Sequence, residues 1–243
     1  SLILKRDIVC LLRTLIDSLP PFIRNSKLLF NIAKLIFGLP QELFNFREIY
    51  NEGKIKDLSL YYSNKSSLCL RRISEETDIN SFHLRILKDY FKTRKPKSVL
   101  DAGCGSGHLL NQLINLNSNV RLLGIDFEAP FLKGSKIEFI EGDILENLKG
   151  ILTNSFEFVL CTHVLEHLTN PKEVIKELRR VCSDSLIIIC PLEKEFKWGM
   201  NYHVNFYPNK YAFINFLKKG KTDKKKSITF LRLGDLMYIE NII

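Results

Sequence analysis

Val99-Leu100-Asp101-Ala102-Gly103-Cys104-Gly105-Ser106-Gly107 is an apolar run that ends in a carboxylate and passes at once into three glycines at alternate positions. It reads as a buried strand feeding a tight turn. Glycine tolerates positive φ and carries no Cβ, so such a turn lets the backbone approach a nucleotide-like ligand. His108-Leu109-Leu110-Asn111-Gln112-Leu113 then reads as the first turns of a helix, with its N-terminal amides aimed into the loop. The spacing discriminates between ligands. The dinucleotide fingerprint is G-x-G-x-x-G, whereas this loop is G-x-G-x-G, and His108 stands where the third glycine is required.

From Lys97 onward, strand and helix patterns alternate, which argues a parallel α/β sheet. Strand-like runs fall at 98–101, 120–126, 136–140, 156–161 and 185–190. A helix is signalled between the fourth and fifth by Asn170 as cap, Pro171 at its first position, Glu173 at its third, and the apolar stripe Val174, Leu178 and Val181. A helix over 79–91, capped by Asp78 or Ser81, leads into the first strand, and a last helix covers 208–217. Runs 228–233 and 236–242, joined by Gly234-Asp235, read as a closing hairpin.

In a sheet of this kind ligands sit at the carboxyl ends of the strands, so the strand ends belong together. The second ends Gly124-Ile125-Asp126-Phe127, placing a carboxylate about twenty residues after the glycine loop, where it can accept both hydroxyl hydrogens of a ribose. Asp126 also reads as a helix or turn cap. After the third comes Glu141-Gly142-Asp143-Ile144, a carboxylate for an adenine amino group beside an aliphatic cover for the ring, or a plain turn carboxylate. The fourth ends Cys161-Thr162-His163-Val164-Leu165-Glu166-His167-Leu168, and the fifth Cys190-Pro191.

This ordered series, over residues 97–191, resembles the motifs of class I S-adenosylmethionine (SAM) dependent methyltransferases, and its fourth-strand motif resembles the "HVLEHL" of the small-molecule group. The resemblance implies a Rossmann-like, doubly wound, mostly parallel sheet of seven strands with an antiparallel C-terminal hairpin, in a domain over 76–243. It implies SAM as cofactor and S-adenosylhomocysteine as product. Asp101 would orient the loop and the methionine amino group, Gly103, Gly105 and Gly107 would admit the methionine and ribose, and Cys104 would lie beside them. Asp126 with Phe127 would hold the ribose, Asp143 with Ile144 the adenine, and Thr162 and His163 the sulfonium side. The reaction implied is an in-line displacement at the sulfonium methyl, in which positioning and desolvation carry much of the acceleration. Asn-Pro-Pro-Tyr, the signature of amino-group methyltransferases acting on bases or glutamine amides, is absent, since Pro191 is followed by Leu192-Glu193.

A hydroxyl acceptor calls for a base near neutral pKa, which His supplies. His163, just beyond the fourth strand, and His203, in the 198–207 segment, are the catalytic candidates, while His167 reads as a cap or brace for the helix with Glu166. Each also reads as a packed, hydrogen-bonded histidine, and Trp198, Tyr202 and Phe206 read as core.

The hydrophobic fraction of 45% and charged fraction of 26% over 243 residues suit a globular chain and exclude disordered and fibrous classes. No apolar run approaches the ~20 residues needed to cross a bilayer. No secretory signal is read, the chain opens on Ser1 rather than Met, which leaves its natural start open, and the expected compartment is cytoplasmic. The six cysteines show no C-x-x-C pair and no zinc-like spacing with His, so free thiols and no metal are expected.

Residues 1–75 differ, with helical apolar spacing in two or three short segments broken at Leu19-Pro20-Pro21 and Gly38-Leu39-Pro40. This helical addition reads as packing onto the domain or onto a second subunit in a homodimer. Its sharper readings are a lid over a hydrophobic substrate and a membrane-surface element with Lys5, Arg6, Arg13, Arg24, Lys27 and Lys34 toward headgroups. The formal charge of +9 favours an acidic partner. Its densest part, Lys218, Lys219, Lys221, Lys224, Lys225 and Lys226, lacks interleaved aromatics and reads as a solvated loop, with nucleic acid as the alternative. The leading expectation is methyl transfer to an O or N atom of a small-molecule or lipid-like acceptor, anionic or hydrophobic. RNA as acceptor and a non-catalytic SAM-fold binding module are the competing readings.

Overall fold

A computed structural model describes residues 6–37, 41–55, 57–65, 78–129, 132, 136–197, 201–218 and 227–242. The N-terminal part is helical, with α1 (Arg6–Ser18), α2 (Pro21–Arg24), α3 (Lys27–Phe37), α4 (Gln41–Asn51) and α5 (Leu58–Lys65). Pro20-Pro21 ends α1 and opens α2, because proline cannot continue a helix but suits its first position. The break expected at 38–40 lies outside the described residues.

The remainder alternates as α6 (Ser81–Arg94), β1 (Ser98–Ala102), α7 (His108–Ile114), β2 (Arg121–Asp126), β3 (Glu138–Glu141), α8 (Ile144–Lys149), β4 (Phe156–Thr162), α9 (Pro171–Val181), β5 (Cys182–Pro191), α10 (Lys210–Lys218), β6 (Ser227–Arg232) and β7 (Asp235–Asn241). One seven-stranded sheet results, in the order β3-β2-β1-β4-β5-β7-β6. Strands β1 to β5 are parallel, and β7 is antiparallel to both its neighbours. In β5, Leu186, Ile188 and Cys190 enter one core while Ile187 and Ile189 enter the other. A strand covered by helices on both faces needs an unbroken apolar run, which is what this stretch supplies. Helices α6 and α7 pack on one face, and α8, α9 and α10 on the other. The chain reverses winding between β1 and β4, so their carboxyl ends flank the crevice where ligands of such sheets bind.

Three local expectations are corrected. Helix α6 is capped by Asn80, whose side chain accepts from the His83 amide, and not by Asp78 or Ser81. Ser81 instead donates its amide and hydroxyl to Asp7 of α1, at 2.9 and 2.6 Å. Asn170 stands at the start of α9 but makes no side-chain cap bond. The closing hairpin turns on Leu233-Gly234, both at positive φ of 50 and 73°, as a two-residue turn matching the strand twist requires. Asp235 is therefore the first residue of β7 and is fully buried.

That burial ties the N-terminal helices to the sheet. Asp235 accepts from Arg13 on one oxygen and from Cys10 Sγ and Asn80 Nδ2 on the other, the latter two at 3.1 and 3.0 Å. The missing Gly234 side chain makes room for α1, since a Cβ there would lie 2.8 Å from Thr14 Oγ1. Removing one partner of a buried ion pair strands the other charge, so Arg13→Leu should cost about 3 kcal/mol. A urea titration reads this, and an unchanged midpoint would show that the pair does not anchor α1.

On α1 and α3, Leu11, Leu15, Leu28, Ile32 and Leu35 remain exposed, so this face is only partly core. Arg24 is buried and Arg13, partly buried, is paired with Asp235, which removes two of the six cations expected to face headgroups, and Lys5 lies outside the described residues. No helix among the described residues is long and apolar enough to cross a membrane. The five described cysteines are buried free thiols. Residues 219–226, which carry five of the six clustered lysines, also lie outside the described residues, as does Trp198.

Candidate active site

The glycine loop hangs from β2, where the Gly103 and Cys104 amides both donate to Ile125 O, at 2.8 and 3.1 Å. Gly103, Gly105 and Gly107 all take positive φ, of 84, 55 and 82°. Their missing side chains serve different ends. A Cβ on Gly103 would stand 2.2 Å from Val164 Cγ2, and one on Gly107 2.4 Å from Leu132 Cγ, whereas one on Gly105 would meet nothing within 4 Å among the described residues. Two glycines thus let the loop pack, and the third borders open space. Cys104 turns its thiol inward against Gly124, whose Cβ would lie 2.7 Å from it, so only the Cys104 backbone belongs to the loop surface.

Asp126 shapes the same loop from the end of β2. Its Oδ2 accepts from the Gly105 amide and its Oδ1 from the Phe127 amide, each at 2.8 Å. Asp143 Oδ1 caps α8, accepting from the Leu145 and Glu146 amides at 2.8 and 3.2 Å. Asp143, read as an adenine partner or a plain turn carboxylate, is thus a helix cap, while Asp126 holds the glycine loop and caps no helix. Ile144 reaches under Gly103, its Cδ1 3.5 Å from where that residue's Cβ would be.

Asp101 lies fully buried at the root of the loop, and its Oδ1 has no hydrogen-bond partner among the described residues. Burial and then the nearby Asp126 charge push its carboxyl up to about 7. A buried carboxylate atom without a partner costs free energy unless a ligand satisfies it. The donor it lacks is what a cationic amino group supplies, and Gly105 borders the open space such a ligand needs.

Beyond β4 the structure gathers a polar cluster. His163 sits at a positive φ of 55°, rare for a residue with a Cβ, while its amide donates to Ile189 O at 2.8 Å. Its ring is turned inward, with Nδ1 3.4 Å from Glu166 Oε1 and Nε2 4.0 Å from Asp235 Oδ2. The first distance lies within ion-pair range but lacks hydrogen-bond geometry. Thr162 ends β4 half-buried. Burial pushes Glu166 up, but the His163 contact and the nearby His167 and His203 outweigh it and hold the carboxyl down at about 2. His167 Nδ1 meets Tyr202 O at 3.1 Å and its ring stands edge-on to His203 at 4.7 Å, while burial and then His203 push it down to about 4.

His203 is oriented by Glu193, which accepts from its Nδ1 and is also bonded by Asn201 Nδ2. Burial raises Glu193, but His203 outweighs this and holds it below its ordinary range. The segment carrying His203 is pinned onto the β4 loop, with the Val204 and Asn205 amides on Glu166 O at 2.8 and 3.0 Å and Asn205 Nδ2 on Leu165 O and Leu168 O at 3.0 and 2.6 Å. Glu166, His167 and His203 each offer one ligand atom, all within 4.8 Å of one another, a His2Glu donor set such as catalytic zinc sites use. Sequence spacing did not suggest it, because His203 comes from a separate segment. Glu193, Asp235, Arg13 and Arg47 were also missed, since what marks them is burial together with a distant partner. His83 is structural, bonded to Asn80 and to Phe230 O, each at 3.0 Å.

The sheet order, glycine loop and acidic strand ends define a methyltransferase-type domain. Residues 93–226, more than half of the chain, match the family described as a methyltransferase domain, and the chain belongs to that family. Among curated relatives, a tRNA U34 carboxymethyltransferase of Nautilia profundicola is 29% identical over 153 residues, 54% of this chain and 49% of that protein. A ubiquinone biosynthesis O-methyltransferase of Cupriavidus pinatubonensis is 30% identical over 88 residues, 33% of this chain and 34% of that protein. The chain thus spans about half or less of the length of these relatives. Of solved structures, the magnesium protoporphyrin IX methyltransferase of Synechocystis PCC 6803, with S-adenosylhomocysteine bound, superposes with a TM-score of 0.54 at 15% identity, covering 76% of this chain and 97% of that one. A plantazolicin methyltransferase, also with S-adenosylhomocysteine, gives 0.53 at 15% identity, covering 78% and 98%. These likenesses show the fold.

Proposed function

We propose that the chain binds SAM over the glycine loop and transfers its methyl group to an O or N atom of a small-molecule or lipid-like acceptor. The observation that carries this reading is the buried, unpartnered Asp101 Oδ1 beneath a loop whose Gly105 borders open space. When bound, SAM supplies an electrophilic methyl carbon on a positively charged sulfur. Asp101 then pairs with the methionine amino group, Asp126 holds the loop and the ribose, and Asp143 with Ile144 borders the adenine. Thr162 lines the sulfonium side with the backbone of His163, whose ring is turned away toward Glu166 and Asp235. The membership of the family and the fold shared with two methyltransferases holding S-adenosylhomocysteine support the cofactor.

His203 is the better-equipped of the two catalytic candidates. With Nδ1–H donated to Glu193, its Nε2 is left as the proton acceptor, the arrangement of an oriented general base. The exposed apolar residues of α1 and α3 supply surface for a hydrophobic acceptor or membrane contact. Residues 1–75 act in this reading as an acceptor-binding addition to the domain over 76–243.

The test is calorimetry with SAM on the intact chain, followed by His203→Asn. SAM should bind both proteins equally, while methyl transfer to a hydroxyl acceptor should fall about 10² to 10⁴-fold in the variant, the usual worth of general-base catalysis. No SAM binding to the wild-type chain sinks the cofactor assignment, and an unaltered rate in the variant removes His203 as base. A second reading, favoured by the Glu166, His167 and His203 donor set, has a divalent cation polarise the acceptor oxygen. Restoration of EDTA-treated activity by Mn²⁺ or Zn²⁺ distinguishes it.

A further inference from the structure

Arg47 on α4 is 3% exposed, and among the described residues no carboxylate lies within hydrogen-bond reach of it. Its Nη1 donates to Phe196 O, and its guanidinium lies 4.0 Å from the Phe206 ring centroid and 5.5 Å from that of Phe196. Nε and Nη2, by contrast, are both buried without a partner among the described residues. These two atoms form one edge of the guanidinium plane, the edge that meets two oxygens of a carboxylate or phosphate side by side. Glu193 and Glu195 act on Arg47 only through space, Glu193 being committed to His203 and Asn201 and Glu195 being exposed.

A buried cation with its two-donor edge unpaired carries a desolvation cost, and among the described residues one carbonyl, two ring contacts and two glutamates acting through space offset it only in part. Burial accordingly lowers the Arg47 guanidinium to about 10 despite the two glutamates. Arg24 adds to the same region, buried with its Nε unpartnered and 5.8 Å from the Phe196 ring. Both arginines come from the N-terminal helices, and both rings come from the 192–207 segment that also holds Glu193 and His203.

We propose that Arg47 is a specificity-determining residue whose Nε and Nη2 receive an oxyanion, a carboxylate or phosphate, carried by the methyl acceptor. Resting on the methyltransferase reading above, it narrows the acceptor to an anionic one whose charged group docks beside Glu193 and His203. The aromatic faces hold the guanidinium plane in place, so the ligand finds the fork already oriented.

The test titrates benzoate and, separately, inorganic phosphate into the full chain with and without S-adenosylhomocysteine, for wild type, Arg47→Lys and Arg47→Met. At least one anion should bind wild type, with benzoate favoured by a carboxylate acceptor and phosphate by a phosphorylated one. Its Kd should rise about tenfold or more in Arg47→Lys, which keeps the charge but loses the fork, while affinity for S-adenosylhomocysteine stays unchanged. Arg47→Met, relieved of a buried unpaired charge, should melt at or above the wild-type temperature without anion and gain nothing from it. Equal anion affinity in wild type and Arg47→Lys, or no binding of either anion to wild type, overturns the proposal, and a lowered melting temperature in Arg47→Met then assigns Arg47 to packing. Failure of S-adenosylhomocysteine to bind wild type instead strikes the cofactor assignment, and the anion titrations without it are still read.

Discussion

Asp101→Asn should weaken SAM binding about a hundredfold, the cost of removing one member of a buried charge pair. It should also stabilise the protein in the absence of SAM as pH rises. The sign follows from the raised carboxyl, at about 7 against an ordinary 3.8. An acid whose folded pKa lies above its unfolded one binds more protons when folded, so its favourable contribution is complete below about pH 4 and is lost as pH rises through about 7. A shift of this size is worth at most about 4 kcal/mol, and an amide has no such loss. Urea unfolding at pH 5 and 8 should show the wild type losing stability over that interval relative to the variant. Calorimetry should show wild-type SAM affinity rising from pH 6 to 7, as Asp101 ionises, and declining again above about 8 as the ligand's own amino group deprotonates. Undiminished SAM binding by the variant would remove Asp101 from the site.

Gly105→Val is expected to abolish measurable SAM binding, at least about a hundredfold, while costing only about 2 kcal/mol of stability from a branched side chain at positive φ. Gly103→Ala should behave the other way round. Its new methyl would stand 2.2 Å from Val164 Cγ2, so the loop or β4 must move, and stability should fall by about 3 kcal/mol. Comparing melting temperature with SAM affinity across the pair separates a glycine that borders the ligand from one that lets the loop pack. Equal loss of stability in both variants would mean that Gly105 has no special relation to the ligand space.

The sheet was legible because its signals are local. Unbroken apolar runs mark strands covered on both faces, the alternating glycines mark the turn after β1, and Pro171 with its apolar stripe marks α9. The boundaries slipped where a distant group decided them. Asp after Gly commonly reads as a turn residue, but Asp235 stands in β7, where it is bonded by Arg13, 222 positions earlier. Asp78 and Ser81 lost the cap of α6 to Asn80, whose amide nitrogen also reaches Asp235. The histidines show the same division. Their placement after β4 and in the 192–207 segment was visible, but the turning of His163 toward Glu166 and the orienting of His203 by Glu193 were not.

From the sequence alone come the α/β architecture, the glycine loop, and the carboxylates at the ends of β1, β2 and β3, because strand period and turn chemistry are written in neighbouring residues. Only the tertiary structure shows that Asp101 lacks a partner, that Gly105 differs from Gly103 and Gly107, and that Arg47 lies between Phe196 and Phe206 with one edge unpaired. Those properties depend on which groups the fold withdraws from water and which distant groups it sets beside them, and no local pattern in the chain encodes either.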